Sequence, residues 1–105
     1  MAENRRTSAR HVVSIHAKLV VEGASRECTL SNLSLGGALV TAGKRFPMGQ
    51  RMTINFEIPT QADPIEVGAV VRWSDDSATG LQFDGLRARD VWALNKYFEQ
   101  LPPAP

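Results

Sequence analysis

The sequence predicts an all-β fold with a C-terminal helix, specifically a six-stranded antiparallel β-barrel followed by that helix. Between residues 12 and 83, apolar and polar side chains alternate with a two-residue period in six short runs, as they do in half-buried strands. Turn-forming residues separate the runs. After residue 87 the apolar spacing changes to three and four residues, which is typical of one amphipathic helix. A closed barrel is favoured because it leaves no open sheet edge.

Composition restricts the class of protein. With 105 residues, of which 43% are hydrophobic and 22% are charged, the chain is expected to form one globular domain. A net charge of +1 gives no broad basic field, so sequence-independent binding to nucleic acid is not expected. Because no apolar run is long enough for a signal sequence or a membrane span, we expect a cytoplasmic protein without membrane insertion.

The pattern divides the chain into three segments. Residues 1–11 are polar, charged and aperiodic, which predicts a flexible arginine-rich arm. Residues 12–101 carry the periodic pattern and are expected to form the barrel and its helix. Residues 102–105 are rich in proline and are expected to be a disordered tail.

The first three strands follow one another closely. An alternation predicts the first strand, with apolar side chains at Val13, Ile15, Ala17, Leu19 and Val21. Cys28 and Leu30 indicate a short second strand, which runs directly into a turn over residues 32–37. Apolar residues 38–40 leave this turn as the third strand.

The later elements have clear boundaries. The fourth strand alternates from Met52 to Ile58, and Pro59 ends it because proline cannot donate a ladder hydrogen bond. The fifth strand covers residues 65–73 and the sixth covers residues 81–83. A helix is predicted over about residues 87–101, where the sequence reaches two prolines. Its apolar stripe consists of Val91, Leu94, Phe98 and Leu101.

Two short motifs point to a binding function. Arg6-Thr7-Ser8-Ala9-Arg10 reads RxxxR and places two fixed positive charges on the arm. Asn32-Leu33-Ser34-Leu35-Gly36-Gly37 reads [D/N]xSxxG and combines a carboxamide, a hydroxyl and glycine backbone in one turn. A guanidinium group binds phosphate or the O6 and N7 atoms of guanine in a planar fork, and it also stacks on rings. A phosphate-linked guanine nucleotide therefore suits the two motifs together.

Each motif also has an interpretation without a ligand. The arginines of the arm can form a solvated charged tail. In the turn, Asn32 and Ser34 can cap their own backbone while Gly36 and Gly37 supply positive φ angles. The ligand interpretation is favoured because both motifs occur in order, one before the first strand and one after the second.

The chain resembles the PilZ domain family, the bacterial receptors for cyclic di-GMP, over nearly its whole length. Besides the two motifs, Val70-Val71-Arg72-Trp73 followed by Gly80-Leu81-Gln82-Phe83 is similar to the late strand pair of that family. The resemblance implies a noncatalytic receptor whose arm closes over cyclic di-GMP and whose altered surface is read by a partner protein. It leaves open whether one molecule or an intercalated pair binds, and it is compatible with a monomer or a weak dimer.

The resemblance also implies roles for particular residues. Arg6 and Arg10 are the clamp on the ligand, Asn32 and Ser34 are polar readers, and Gly37 permits close approach of the backbone. Three further candidates for ligand contact are Arg5, Gly36 and Trp73.

Other candidate sites are weaker. His11 and His16 have opposite parity beside one strand, so no metal site is expected. Cys28 lies in an apolar alternation and is interpreted as a small buried hydrophobic residue. Ser34 has no base near it in the sequence, so catalysis by a serine nucleophile is not expected.

Two alternatives to the receptor hypothesis remain. One is an adaptor of the same fold that acts through protein contacts without nucleotide, which the complete pair of motifs disfavours. The other is a small barrel that binds single-stranded nucleic acid by base stacking, which requires exposed aromatic side chains and a basic groove. The alternation disfavours it, because it places Phe56, Trp73 and Phe83 at core-facing positions.

Overall fold

The computed structural model describes residues 10–101, which form a closed antiparallel barrel and one helix. The strands are β1 (His11–Val21), β2 (Ala24–Leu33), β3 (Gly37–Thr41), β4 (Arg51–Phe56), β5 (Ile65–Ser74) and β6 (Thr79–Phe83), and the helix is α1 (Ala88–Glu99). Around the barrel they follow the order β1-β2-β3-β6-β5-β4, so β4 pairs with β1 and closes the sheet. The predicted fold class is therefore confirmed. Residues 1–9 of the predicted arm and the predicted tail at 102–105 lie outside the described residues.

The core is built from the inward-facing alternation of the strands, most regularly in β4. Met52, Ile54 and Phe56 of this strand are buried, with exposed fractions of 6%, 0% and 2%. Strand β4 pairs with β1 and β5 without any register shift, and Ala17 lies opposite Phe56. Cys28 is also buried, and burial raises the pKa of its thiol to about 11. This thiol is protonated at neutral pH, as expected for a packing residue.

A register shift near the end of β2 changes which residues face the core. Cys28 and Leu30 are buried, and a strict alternation would place Asn32 inward as well. The pairing of β2 with β3 shifts between Leu30 and Asn32, so β2 contains one extra residue there. Such a bulge moves the following side chains to the opposite face. Leu33 is therefore the next buried residue, and Asn32 is only half-buried.

A second bulge near the end of β5 makes the predicted position of Trp73 wrong. The alternation places Trp73 in the core, but its exposed fraction is 45%. The pairing of β5 with β6 shifts between Val71 and Trp73, where Arg72 is the extra residue. Val71 remains buried, whereas Arg72 and Trp73 are both exposed. The other two aromatic residues, Phe56 and Phe83, are buried as predicted.

Helix α1 is fixed to the barrel through contacts at both of its ends. Leu94 is fully buried, and the other residues of its predicted stripe are half-buried. Near its start, the buried carboxylate of Asp90 accepts a hydrogen bond of 3.1 Å from Gln61 in the β4–β5 loop. Near its end, Phe98 stacks on His11, with 4.0 Å between the ring centroids. Within residues 10–101, no helix has the length and apolar character that a membrane span requires.

Candidate functional site

A surface cavity of about 440 Å³ lies between the start of β1, the β2–β3 turn and the β5–β6 strand pair. The residues from the sequence analysis that line it are Arg10, Asn32, Ser34, Gly36, Gly37 and Trp73. The remaining two candidates, Arg5 and Arg6, lie outside the described residues. The fold therefore brings the second arginine of the RxxxR motif and every residue of the [D/N]xSxxG turn except Leu35 to one cavity.

Ser34 holds the β2–β3 turn together. Its Oγ accepts hydrogen bonds from the backbone N–H groups of Gly36 and Gly37, at 3.2 and 3.1 Å, and lies 3.2 Å from the Gly37 carbonyl oxygen, to which it donates. The Ser34 N–H donates to the same carbonyl at 2.9 Å. A hydroxyl has one donor and two acceptor positions, so these bonds use its full capacity. In this conformation Ser34 shapes the turn, and a direct contact with a ligand stays a prediction.

Gly37 is required for close packing between strands. Its φ lies outside the left-handed region, in contrast to the interpretation in which it supplies a positive φ. A Cβ atom at this position would collide with the backbone carbonyl of Leu81 on the neighbouring strand β6. Because a backbone atom has little freedom to move, the first residue of β3 can approach β6 only as glycine. This packing sets the distance between the turn and β6 at the floor of the cavity.

Asn32 presents an amide group to the cavity. The bulge in β2 moves it out of the core-facing alternation, and it lies opposite Val12 of β1. Within residues 10–101 its side chain makes no hydrogen bond, so it does not cap its own backbone there. Its carbonyl oxygen and its NH₂ group are thus available to a ligand with both donors and acceptors.

Trp73 forms part of the opposite side of the cavity. It lies across the strand pair from Gly80, and a Cβ atom at Gly80 would lie only 2.7 Å from Cε2 of the indole. The absence of a side chain at position 80 therefore allows the indole to rest against the backbone of β6. With 45% of its surface exposed, the ring offers an aromatic surface inside a cavity that also contains arginine.

Arg72 and Gln82 also line the cavity, and the sequence analysis did not single them out. Both lie at outward-facing positions of their strands, a signal that alternation could have supplied. Many exposed residues share that parity, however. Only the strand order and the β5–β6 pairing place these two beside the turn.

The charge of the cavity is positive among the described residues. Arg10 and Arg72 line it, and no aspartate or glutamate in the described range does so. The two histidines considered for metal binding are engaged elsewhere: His11 stacks on Phe98, and Nε2 of His16 lies 3.2 Å from Oε1 of Glu27. The site thus combines guanidinium groups, a carboxamide, a glycine-containing turn and an indole. This combination suits an anion that also carries flat, hydrogen-bonding rings.

Comparisons with known proteins identify related sequences and folds. A family model described as PilZ domain matches residues 4–100. Among solved structures, the inhibitor of motility MotI/DgrA of Bacillus subtilis is similar at a TM-score of 0.73 and 20% identity, over 93% of this chain and 54% of that one. The PlzA protein of Borreliella burgdorferi, in complex with c-di-GMP, is similar at a TM-score of 0.70 and 23% identity, over 90% of this chain and 41% of that one. The chain thus spans about half the length of these proteins. No curated protein matches it.

Proposed function

The chain belongs to the PilZ domain family, and we propose that it is a noncatalytic receptor for cyclic di-GMP that signals by contact with a partner protein. The main observation in support of this proposal is that one and the same cavity is lined by Arg10, by residues of the Asn32–Gly37 turn and by Trp73. These groups come from separate parts of the sequence, and each suits a different part of a guanine dinucleotide.

Cyclic di-GMP contains two phosphates and two guanines, and the cavity offers a group suited to each. The guanidinium of Arg10 can bind a phosphate or the O6 and N7 edge of guanine with two hydrogen bonds. The exposed indole of Trp73 can stack on a guanine face. The amide of Asn32 can both donate to and accept from a base edge. The three side chains thus complement charge, ring face and ring edge.

The arm is proposed to close over the bound ligand. Arg6 lies four residues before Arg10, a distance of at most about 14 Å in an extended chain, so it can reach a ligand held beside Arg10. Arg5 is adjacent and can add a phosphate contact. Ordering the arm costs conformational entropy, which lowers affinity but couples binding to a change of surface. That change is the proposed signal to the partner.

The turn residues are proposed to shape the site. Ser34 fixes the turn through its hydrogen bonds, and Gly37 lets the turn approach β6. Gly36 leaves the rim of the turn without a side chain. The hydroxyl of Ser34 is engaged within the turn, which supports a structural role for it in a binding site. We place this activity in the cytoplasm, where a nucleotide messenger is accessible.

Isothermal titration calorimetry with cyclic di-GMP tests the proposal. We expect saturable binding to the wild type, with the endpoint giving one or two ligands per chain. Arg10→Ala is expected to weaken binding by roughly 10- to 100-fold, the loss typical of one hydrogen bond to a charged group. Arg10→Lys should also weaken it, because lysine lacks the planar fork. Arg26→Ala, an exposed arginine on β2 outside the cavity, is the control of equal charge.

Absence of heat with the wild type would reject the receptor function and favour the adaptor that acts without nucleotide. The exposure of Trp73 meets one requirement of the other alternative, a barrel that binds single-stranded nucleic acid. Phe56 and Phe83 are buried, however, so these strands do not form a row of stacking rings. A steep salt-dependent affinity for oligonucleotides, exceeding that for cyclic di-GMP, would favour that alternative.

A further inference from the structure

The arginines of the described residues fall into two groups. Most of them have an acceptor on the protein: Arg26 donates to the Ala42 carbonyl, and ion pairs join Arg45 to Asp76, Arg51 to Asp84, Arg87 to Asp90 and Arg89 to Asp63. Within residues 10–101, Arg10 and Arg72 have no such acceptor, and both line the cavity. A guanidinium without a protein partner, beside a cavity lacking carboxylates, is available to an anionic ligand.

Arg72 is held on a fixed part of the barrel. It is the extra residue of the β5 bulge, and hydrogen bonds hold the strand just before it, at Val71, and two residues after it, at Ser74. Val71 exchanges backbone bonds with the β3–β4 loop, donating to the Gln50 carbonyl at 2.9 Å and accepting from the Gly49 N–H at 2.8 Å. The hydroxyl of Ser74 lies 2.8 Å from that of Thr79 and accepts from the Phe46 N–H at 3.0 Å. Hydrogen bonds to the β3–β4 loop and to β6 therefore hold the part of β5 that carries Arg72.

The bulge also makes Arg72 and Trp73 neighbours on the same exposed surface. In a regular strand, consecutive side chains point to opposite faces of the sheet. Here Val71 is buried while both following residues are exposed and line the cavity. A cation and an aromatic ring thus lie side by side in β5, which is the combination that a nucleotide requires for its phosphate and its base.

We propose that Arg72 is a ligand-binding arginine that binds a phosphate of cyclic di-GMP from the barrel side, across the cavity from Arg10. This inference rests on the proposed receptor function. Because Arg72 is carried by a hydrogen-bonded strand, its backbone loses little freedom on binding. Its positive charge lies at the cavity and can attract the anionic ligand before contact is complete. Loss of Arg72 should consequently slow association as well as weaken affinity.

The test compares Arg72→Gln and Arg72→Lys with the wild type, and uses Arg26→Gln as a control with the same change of charge outside the cavity. Calorimetry with cyclic di-GMP should give a dissociation constant about tenfold or more higher for Arg72→Gln, an intermediate value for Arg72→Lys, and a value within twofold of the wild type for Arg26→Gln. Stopped-flow fluorescence should show a several-fold slower association for Arg72→Gln, with a weaker dependence on salt.

The outcomes separate this inference from the receptor function. If the wild type and both Arg72 variants bind alike while Arg10→Ala loses binding, the role of Arg72 is rejected and the receptor function stands. If the wild type does not bind, the receptor function and this inference are rejected together. Because Arg72 is exposed, its variants should unfold at the wild-type temperature; if Arg72→Gln does not, Arg72→Lys decides by the same criterion.

Discussion

Two regions of the barrel differ in how regularly their strands pair. In the regular region, formed by β4 with its partners on β1 and β5, every pairing keeps its register and the inward side chains are buried. In the bulged region, formed by the ends of β2 and β5 with β3 and β6, two register shifts interrupt the alternation, and a third lies in the pairing of β1 with β2 between Val12 and Ile15. The cavity lies in the bulged region. Regular pairing therefore builds the core, and departures from it build the candidate site.

The two bulges have the same effect on the site. Without the extra residues, Asn32 and Trp73 would have the parity of Leu30 and Val71, which are buried. Each bulge turns one of them out of the core and into the cavity lining. The amide of Asn32 and the indole of Trp73 therefore lie on the surface of the cavity and not in the core. Whether Trp73 is buried or lines the cavity is therefore determined by the bulge beside it and not by the alternation of the sequence.

The largest expected effect is the loss of a core aromatic residue in the regular region. Phe56→Ala removes a side chain that is 2% exposed, and it should lower the free energy of unfolding by about 3–5 kcal/mol. Trp73→Ala removes a larger but half-exposed ring, and should lower it by about 1 kcal/mol. Denaturant unfolding measures both. Equal losses for the two variants would contradict the assignment of Trp73 to the site rather than to the core.

The sequence could predict the regular region almost completely. The alternation from Met52 to Ile58 predicted a strand, which the structure has over Arg51–Phe56 with its inward residues buried, and the change of spacing after residue 87 predicted the helix. It could not predict the position of Trp73, because a bulge depends on pairing with another strand and leaves no local mark in the alternation. Arg72 and Gln82 were missed for a related reason. Their outward parity is local, but their place beside the turn follows from the strand order.

Alanine substitutions at two glycines on neighbouring strands, one in each region, should have effects of intermediate size on stability. A Cβ at Gly80, in the bulged region, would overlap the Trp73 indole, so Gly80→Ala must displace the ring or the strand. It should destabilise the domain by about 1–3 kcal/mol and weaken binding of cyclic di-GMP. A Cβ at Gly68, in the regular region, would meet the end of the flexible Asp84 side chain at 2.7 Å. Gly68→Ala should change stability by less than about 1 kcal/mol, because the carboxylate can move away.

Thermal unfolding and calorimetry on the two glycine variants give the required measurements. A lowered midpoint together with weakened binding in Gly80→Ala, and neither change in Gly68→Ala, is the expected result. If Gly80→Ala binds cyclic di-GMP as well as the wild type, the packing of the Trp73 indole against β6 is not required for binding. That outcome would leave the fold intact and remove Trp73 from the proposed contacts.

The smallest expected effect concerns the β5–β6 turn, which is held by polar bonds rather than by core packing. Oδ1 of Asp75 accepts hydrogen bonds from the Ser77 and Ala78 N–H groups, at 2.8 and 2.9 Å, and from the Ser77 hydroxyl. These bonds favour the ionised carboxylate and hold the pKa of Asp75 below its ordinary value. The stabilisation is therefore present above the ordinary pKa and is lost as pH falls through the lowered one.

Asp75→Asn tests this turn, because asparagine can accept the same hydrogen bonds but carries no titrating charge. We expect the wild type to be slightly more stable than the variant at pH 7, and the difference to disappear as pH falls below about 4. Asp76→Asn is the matched control, since its carboxylate accepts no hydrogen bond from the turn residues 74–79. Denaturant midpoints between pH 7 and pH 2 measure the difference. A constant gap between wild type and Asp75→Asn across this range would mean that the turn depends on the shape of the residue and not on its charge.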